Sequence, residues 1–411
     1  MMYHEVPGHA LLIMTRREGG LAEAVGGPIP DQASLPLVIA TILRSEGSTG
    51  VQTHFQQLRR YLDGCGRDAR LVTPFSWGRR LTVPVFGVRL ILERLSGSAS
   101  VAWYRYWHEA FVYNALRKAL ARTDACVVYA QCPLSARAAL RARRGPHQKV
   151  IMAVHFRTSQ ADEWVNMEQI RQGGRMFRAI RHDEREVIPQ VDGMVFVSRW
   201  ARDALLEWFP EATSVPFAVI ENFVAPHTRT TIQEPVGDLV TIGHLEPVKN
   251  HRFMLRVLTE AAKAGHRFTL DIFGDGVLEQ DLRQQVTSLG LEGQVRFRGY
   301  RKDVRDFLPG YRAYIHASYS ESSSLAIIEA MDAGLPILAG RIGPIPELVD
   351  EGVEGRFWPL DDPAEAASIL ISFLGTESTR QEAADAAKER FRCNFDAGVL
   401  GPRLLSFLEQ L

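Results

Sequence analysis

From residue 35 onward, short runs of β-branched and aliphatic residues alternate with longer stretches whose apolar positions recur every three or four residues. The short runs read as buried strands and the longer ones as amphipathic helices. In the first half this predicts strands at 37–43, 69–73, 125–129, 150–154, 194–197 and 217–220, with helices such as 51–62 and 134–143 between them. In the second half it predicts strands at 239–242, 268–273, 295–298, 313–316 and 336–339, again separated by helices. Such alternation implies parallel sheets covered on both faces, so the expected fold class is α/β with two doubly wound, Rossmann-like domains. A polar stretch at 226–238, carrying three threonines, separates a first domain at 35–225 from a second at 239–393. Residues 1–34 hold glycine, proline and charge without periodicity and read as an irregular extension. Open α/β sheets bind ligands at the carboxyl ends of their strands, so the strand-to-helix loops around an inter-domain cleft are where chemistry is expected.

Composition removes several classes of function. At 411 residues the chain exceeds one ordinary core, in keeping with two domains. Lys plus Arg equals Asp plus Glu at 48 each, so no bulk positive field draws the chain to nucleic acid. Cys65, Cys126, Cys132 and Cys393 form no C-x-x-C pair, which fits reduced thiols in a cytoplasmic setting. No apolar run reaches the roughly 18 residues that span a bilayer, and the start of the chain is expected not to be a secretory leader. His4, Glu5 and His9 lack the spacing of a helical zinc site, because Pro7 and Gly8 intervene.

The stretch 321–329, E-S-S-S-L-A-I-I-E, sets two carboxylates around the start of a helix. Were both on that helix, they would stand roughly 12 Å apart along its axis and about 80° apart around it, able to hold two ends of one ligand. Ser322 to Ser324 can cap the helix, Ile327, Ile328 and Met331 form its apolar face, and Gly334 with Pro336 ends it. A helix start favours an anion, which puts a phosphate between the carboxylates. The loop at 45–50, S-E-G-S-T-G, follows the first strand, and Gly47 and Gly50 let backbone N–H groups approach a ligand. It matches neither the dinucleotide nor the Walker fingerprint. In G-H-L-E-P-V-K-N-H at 243–251, Lys249 precedes an expected N-cap at Asn250 and is placed to neutralise a diphosphate. G-D-G at 274–276 and G-Y-R-K at 299–302 also follow strands, the first reading as a structural turn. His155 ends a strand and points toward the cleft. Taken singly, each feature also has an ordinary reading as a turn, a surface lysine or a buried histidine.

Taken in order, these segments resemble the retaining, nucleotide-sugar-dependent glycosyltransferases of family 4, which have the GT-B fold. The match runs through S-E-G-S-T-G-V-Q-T-H at 45–54, A-V-H at 153–155, F-V-S-R-W at 196–200 and V-I-E-N-F-V at 219–224. It continues with I-G-H-L-E-P-V-K-N-H at 242–251, D-I-F-G-D-G at 271–276, V-R-F-R-G-Y at 295–300, the glutamate pair, E-A-M-D-A-G-L-P at 329–336 and G-P-I-P-E-L-V at 343–349. The resemblance implies that Glu329 binds the donor ribose, that Glu321 meets the transferred sugar, and that the backbone at Ser323, Ser324 and Leu325 faces sugar and phosphate. It places Lys249 on the diphosphate with Gly243 and His244 beside it, Gly50 beneath the phosphates, Gly299 and Tyr300 around the base, and His155 against the donor sugar. His155, Lys249 and Glu321 are then the expected catalytic set. Two positions depart from the family pattern. His244 stands where an arginine is usual, giving up a charge and a bidentate fork, and Ser322 to Ser324 replace a glycine-rich turn.

The resemblance further implies retention of the donor's anomeric configuration, with the leaving diphosphate helping to remove the acceptor proton. No D-x-D motif is present, so neither a metal nor another cofactor is expected. The expected donor is UDP- or GDP-linked, and the expected acceptor is a glycan or lipid-linked glycan in cell-surface polysaccharide biosynthesis. A GT-B nucleotide-sugar epimerase and a catalytically silent sugar-binding relative are the competing readings. Residues 81–122 mix apolar runs with V-A-W-Y-R-Y-W-H, and Arg171, Arg175, Arg178, Arg181 and Arg185 form a cationic stripe if their segment is helical. The first domain is therefore expected at the inner face of an anionic membrane, against the plainer reading of buried aromatics and a solvated face. By the same resemblance, the last helix at 394–411 crosses back to the first domain.

Overall fold

The computed structural model describes residues 35–77, 79–156, 159–227 and 236–411; the extension at 1–34 and most of the expected linker lie outside them. The first half supplies strands β1 (Leu37–Ala40), β2 (Ala69–Val72), β3 (Cys126–Ala130), β4 (Gln148–Val154), β5 (Gly193–Phe196) and β6 (Phe217–Val219). The second supplies β7 (Leu239–Ile242), β8 (Leu270–Phe273), β9 (Val295–Gly299), β10 (Ala313–His316), β11 (Ile337–Gly340) and β12 (Gly355–Trp358). They form two six-stranded sheets, ordered β2-β1-β3-β4-β5-β6 and β12-β11-β10-β7-β8-β9. All pairings within both sheets are parallel.

Successive residues of one strand serve opposite layers. Val38, Val128 and Val150 pack beneath one set of helices, whereas Leu37, Ile39, Tyr129 and Ile151 pack beneath the other. The second sheet repeats this, with Leu239, Leu270 and Ile315 on one face and Val240, Tyr314 and Ile337 on the other. A strand buried on both faces needs apolar side chains at every position, which is why the sequence displays these strands as continuous runs.

Several expected boundaries move. The run at 37–43 leaves the sheet after Ala40, and the run at 268–273 enters it at Leu270. The pattern missed β12, because G-R-F-W is short and opens with glycine and arginine. Gly355 is what admits it: a Cβ there would stand 1.8 Å from the carbonyl oxygen of Ile337 on the paired strand.

The last helix, Ala397–Gln410, packs Leu400, Leu404 and Leu408 into the core formed by Leu37, Ile39 and Phe55. Gly401 lies against the ring of Tyr61, 2.4 Å from where its Cβ would be, so a side chain here would displace that ring. Val224 and Asp396, on the two segments that link the halves, form a parallel bridge. Val224 N donates to Phe395 O at 3.2 Å and Ala397 N to Val224 O at 3.0 Å.

The basic and aromatic segments of the first half behave differently from expectation. Arg171 lies outside the helix Arg175–Val187, and Arg181 turns inward over Trp208 at 4.3 Å and Phe209 at 5.4 Å. Arg185 stands 4.0 Å from Glu211. The five arginines thus make no single stripe, because Arg181 stacks on the half-exposed Trp208 and the buried Phe209 instead of facing water. Within V-A-W-Y-R-Y-W-H, Trp103 donates to Val85 O, Tyr104 stacks on His108, and Trp107 packs on Phe111. Tyr106 is the aromatic of that string left exposed. Among the described residues, no helix is long and apolar enough to cross a membrane.

Candidate active site

The carboxyl ends of both sheets open into one cavity of about 730 Å³. On the second-half wall, Glu321 follows β10 on a loop, and the helix itself begins only at Leu325 with Ser324 as its N-cap. The two glutamates are therefore not on one helix. Ser324 Oγ accepts from Ile327 N at 3.4 Å. At the other end Gly334, at φ +73°, lets Gly334 N and Leu335 N bond back to Met331 O and Ala330 O, each at 2.9 Å.

Lys249 Nζ donates to Glu321 Oε1 at 2.7 Å, and His316 Nε2 lies 3.1 Å from the same oxygen. Burial pushes the Glu321 carboxyl up, but the Lys249 ammonium and the His316 hydrogen bond outweigh it and hold it at about 2. Ser318 Oγ contacts His316 Nε2 at 3.2 Å, and Trp358 Nε1 donates to His316 O at 3.1 Å, so the missed strand β12 helps to fix this group. Glu329 lines the cavity with no hydrogen bond or ion pair among the described residues. Burial raises its pKa, with the Arg305 charge opposing. Its carboxylate is free to accept from a ligand's hydroxyls. The Ser323 hydroxyl is buried at the helix entry and also lacks a partner.

Lys249 closes a short turn, Pro247–Lys249, and Asn250 follows in the left-handed region at φ +53°. The Asn250 side chain makes no capping bond, contrary to expectation. G-D-G makes a tightly packed turn, and its Gly274 and Asp275 also line the cavity. A Cβ on Gly274 would meet Gly243 O at 1.9 Å, and one on Gly276 would meet the Leu245 backbone at 2.6 Å. The tight packing of these two loops sets the position of Gly243 and His244 in the cavity wall, with His244 Nδ1 3.4 Å from Asp275 Oδ1. Tyr300 lines the cavity and Gly299 does not. Gly299 instead turns the chain at φ +68° while its carbonyl accepts from Gly274 N at 2.9 Å.

The first-half wall starts with Gly50, first residue of the helix Gly50–Gly64, whose α-carbon faces open space. Thr49 and Gln52 form a capping box there. The Gln52 amide also donates to Arg44 O at 3.1 Å and Glu46 O at 2.8 Å, holding the glycine loop in shape. His155 sits just past β4, 3.1 Å from Gln131 Oε1, with its ring edge-on to His54 at 4.6 Å. His54 Nδ1 in turn lies 2.9 Å from Asn222 Oδ1. Burial, followed by the neighbouring His54, holds His155 well below the ordinary histidine value, and burial takes His54 down to about 4.

The structure thus brings Gly50, His155, Gly243, His244, Lys249, Tyr300, Glu321, Ser323, Ser324, Leu325 and Glu329 to one cavity. It adds Asn222, His316 and Arg60, which the sequence reading missed. Asn222 lay within a quoted motif, whereas His316 closed an apolar strand and carried no separate signal. Contacts across the cleft were also not foreseen. Glu347 accepts from Arg199 N at 2.8 Å and Trp200 N at 2.6 Å, Ser198 Oγ donates to Ser322 O at 2.9 Å, and Lys302 pairs with Glu46 at 3.1 Å. Among the described residues, no three His, Cys, Asp or Glu side chains converge as metal ligands.

Two doubly wound sheets facing a shared cleft, with a charged helix-entry wall on the second, define the GT-B architecture. Residues 49–222 match the glycosyl transferase 4-like domain and residues 227–390 match glycosyl transferases group 1. The chain belongs to the GT-B glycosyltransferases of these domain families. It is 30% identical over 156 residues to the D-inositol 3-phosphate glycosyltransferase of Streptomyces coelicolor, covering 35% of this chain and 34% of that one. The chain thus spans about a third of that relative's length. It is 23% identical over 368 residues to the phosphatidyl-myo-inositol mannosyltransferase of Mycobacterium leprae, covering 88% of this chain and 92% of that one. The crystal structure of Anabaena Alr3699/HepE in complex with UDP-glucose superposes with a TM-score of 0.66 at 18% identity, covering 91% of this chain and 100% of that one.

Proposed function

We propose that the protein is a retaining, family 4-type glycosyltransferase that moves a sugar from a UDP- or GDP-linked donor to a glycan or lipid-linked glycan acceptor. The observation that carries this reading is the arrangement of Glu321, Lys249 and Glu329 around one helix entry. An ionised Glu321 is held by Lys249 and His316, while the unpartnered Glu329 faces the same cavity. In this reading Glu329 accepts from the two ribose hydroxyls and Glu321 from the sugar hydroxyls. Lys249 and the N–H groups of the Ser324-capped helix stabilise charge on the departing diphosphate. The bond from the anomeric carbon to the diphosphate oxygen breaks as the acceptor oxygen bonds to the same face. The acceptor proton passes to an oxygen of the leaving diphosphate. His155, held neutral, is suited to contact an uncharged sugar rather than a phosphate.

The chemistry is proposed to need no metal, since lysine and helix entry supply the positive charge. A biological role in cell-surface polysaccharide synthesis at the inner face of a membrane follows from the acceptor class. A thermal-shift panel of UDP- and GDP-sugars tests the donor. A bound donor at 100 times its Kd raises stability by about 2.7 kcal/mol, and Glu329→Ala is expected to cut that shift at least by about half. Anomeric analysis of the product by NMR tests retention, and an inverted product sinks it. Loss of activity on chelation, restored by manganese, sinks metal independence.

A further inference from the structure

Along the second-half wall of the cavity, each lysine and arginine among the described residues is already matched by a carboxylate. Lys249 pairs with Glu321 at 2.7 Å, Arg301 with Asp303 at 2.6 Å, Lys302 with Glu46 at 3.1 Å, and Arg305 with Asp332. His244 stands 3.4 Å from Asp275. An ion pair offers little net charge to a third group, so a diphosphate meets Lys249 and the helix entry on this wall but no uncommitted cation.

The uncommitted cations stand on the opposite wall. Arg59 and Arg60 line the cavity from the helix Gly50–Gly64 and make no hydrogen bond or ion pair among the described residues. Asp63 lines the cavity too, at the helical spacing that lets side chains meet, yet it pairs with neither arginine. An unpaired arginine on a solvated helix is ordinary; this one is held toward a cleft by a fixed support. Thr53, Gln56 and Arg60 recur every three or four residues on the cavity side, while Phe55, Leu58 and Leu62 anchor the other side in the core with Leu37 and Ile39. Across the cleft, the charge of Arg60 joins that of Arg305 in opposing the effect of burial on Glu329. Arg60 thus faces the carboxylate that would hold the ribose, the group to which the diphosphate is bonded. Its planar fork of N–H donors suits phosphate oxygens.

We propose that Arg60 is a donor-binding residue supplied by the first half, its guanidinium donating to anionic oxygens of the nucleotide diphosphate, so that tight donor binding needs both walls. This assignment rests on the nucleotide-sugar reading above. Full-length wild type and Arg60→Gln are titrated with UDP and GDP by calorimetry, and with uridine and guanosine by ligand-observed NMR. For whichever diphosphate the wild type binds, Arg60→Gln is expected to raise Kd at least about tenfold, the lower end for a charge-assisted hydrogen bond. The matching nucleoside is expected to keep its affinity within about twofold, since it carries no phosphate. Arg60→Lys, which keeps the charge and gives up the fork, is expected to recover part of the loss. The fall of diphosphate affinity with salt should be shallower in Arg60→Gln than in wild type. Arg60 is exposed, so the ligand-free melting temperature is expected to stay unchanged. Equal diphosphate affinity in wild type and Arg60→Gln overturns the assignment and leaves the donor reading standing, whereas a wild type that binds neither diphosphate overturns both. An equal loss of nucleoside and diphosphate affinity also overturns it, because Arg60 would then serve the base or the ribose.

Discussion

At the carboxyl end of β10 Glu321 stays ionised against Lys249, whereas on the facing wall, just past β4, His155 and His54 stay neutral among Gln131, Asn222 and Tyr129. Both groups are buried, and both sit at matching places in six-stranded parallel sheets. Burial alone disfavours charge, and it removes the proton from the histidines. Burial beside an opposite charge preserves it, as Lys249 does for Glu321. One fold, used twice, therefore yields a wall suited to phosphate and a wall suited to neutral hydroxyls. The partner residues decide which.

The largest effect should come from neutralising the charged wall. Glu321→Gln is expected to lower kcat by about 10³-fold, in the range seen when a preorganised electrostatic contact is lost. Initial-rate kinetics check it, and a loss confined to KM counts against a role at the reacting sugar. Glu329→Ala should act differently, raising the donor KM by about 10- to 100-fold, the worth of a charge-assisted hydrogen bond or two. The contrast between a kcat effect and a KM effect separates the sugar end of the site from the ribose end.

The neutral wall predicts acid sensitivity. The folded pKa of His54 is about 4, below the usual 6.5, and buried His108 and His251 behave likewise. The unfolded chain binds those protons first, so their contribution is full above pH 6.5 and is lost as pH falls toward 4. Glu321 adds to this later, its contribution present above about 4.5 and lost as pH falls toward 2. Urea midpoints are expected to drop between pH 6.5 and 4, as each such histidine costs on the order of 3 kcal/mol of stability. His54→Gln should flatten the upper part of that drop. The smallest effect is expected at the bridge between the walls. Glu347→Ala removes the acceptor for Arg199 N and Trp200 N and should lower kcat/KM by about fivefold, since other contacts, such as Ser198 to Ser322, remain. Unchanged kinetics would show that the two walls are positioned independently.

The α/β pattern and eleven of the strands were legible because residues such as Leu37 to Ala40 are buried on both faces and cannot hide a polar position. Glu321, Glu329, Lys249 and His155 were legible because each follows a strand or opens a helix in an ordered series of motifs. β12 was not, since its place depends on Gly355 fitting against Ile337 O. Nor was the inward turn of Arg181, which needs Trp208 and Phe209 to be nearby.

By itself, then, the sequence determined where strands and helix entries fall and which reactive side chains stand beside them, because those follow from short-range periodicity and turn chemistry. Tertiary structure alone decided that Lys249 and His316 share one oxygen of Glu321, that Glu329 is left free, and that Arg181 turns inward over Trp208 and Phe209. Ionisation, pairing and exposure are properties of the surroundings, and the surroundings are assembled from residues tens to hundreds of positions apart.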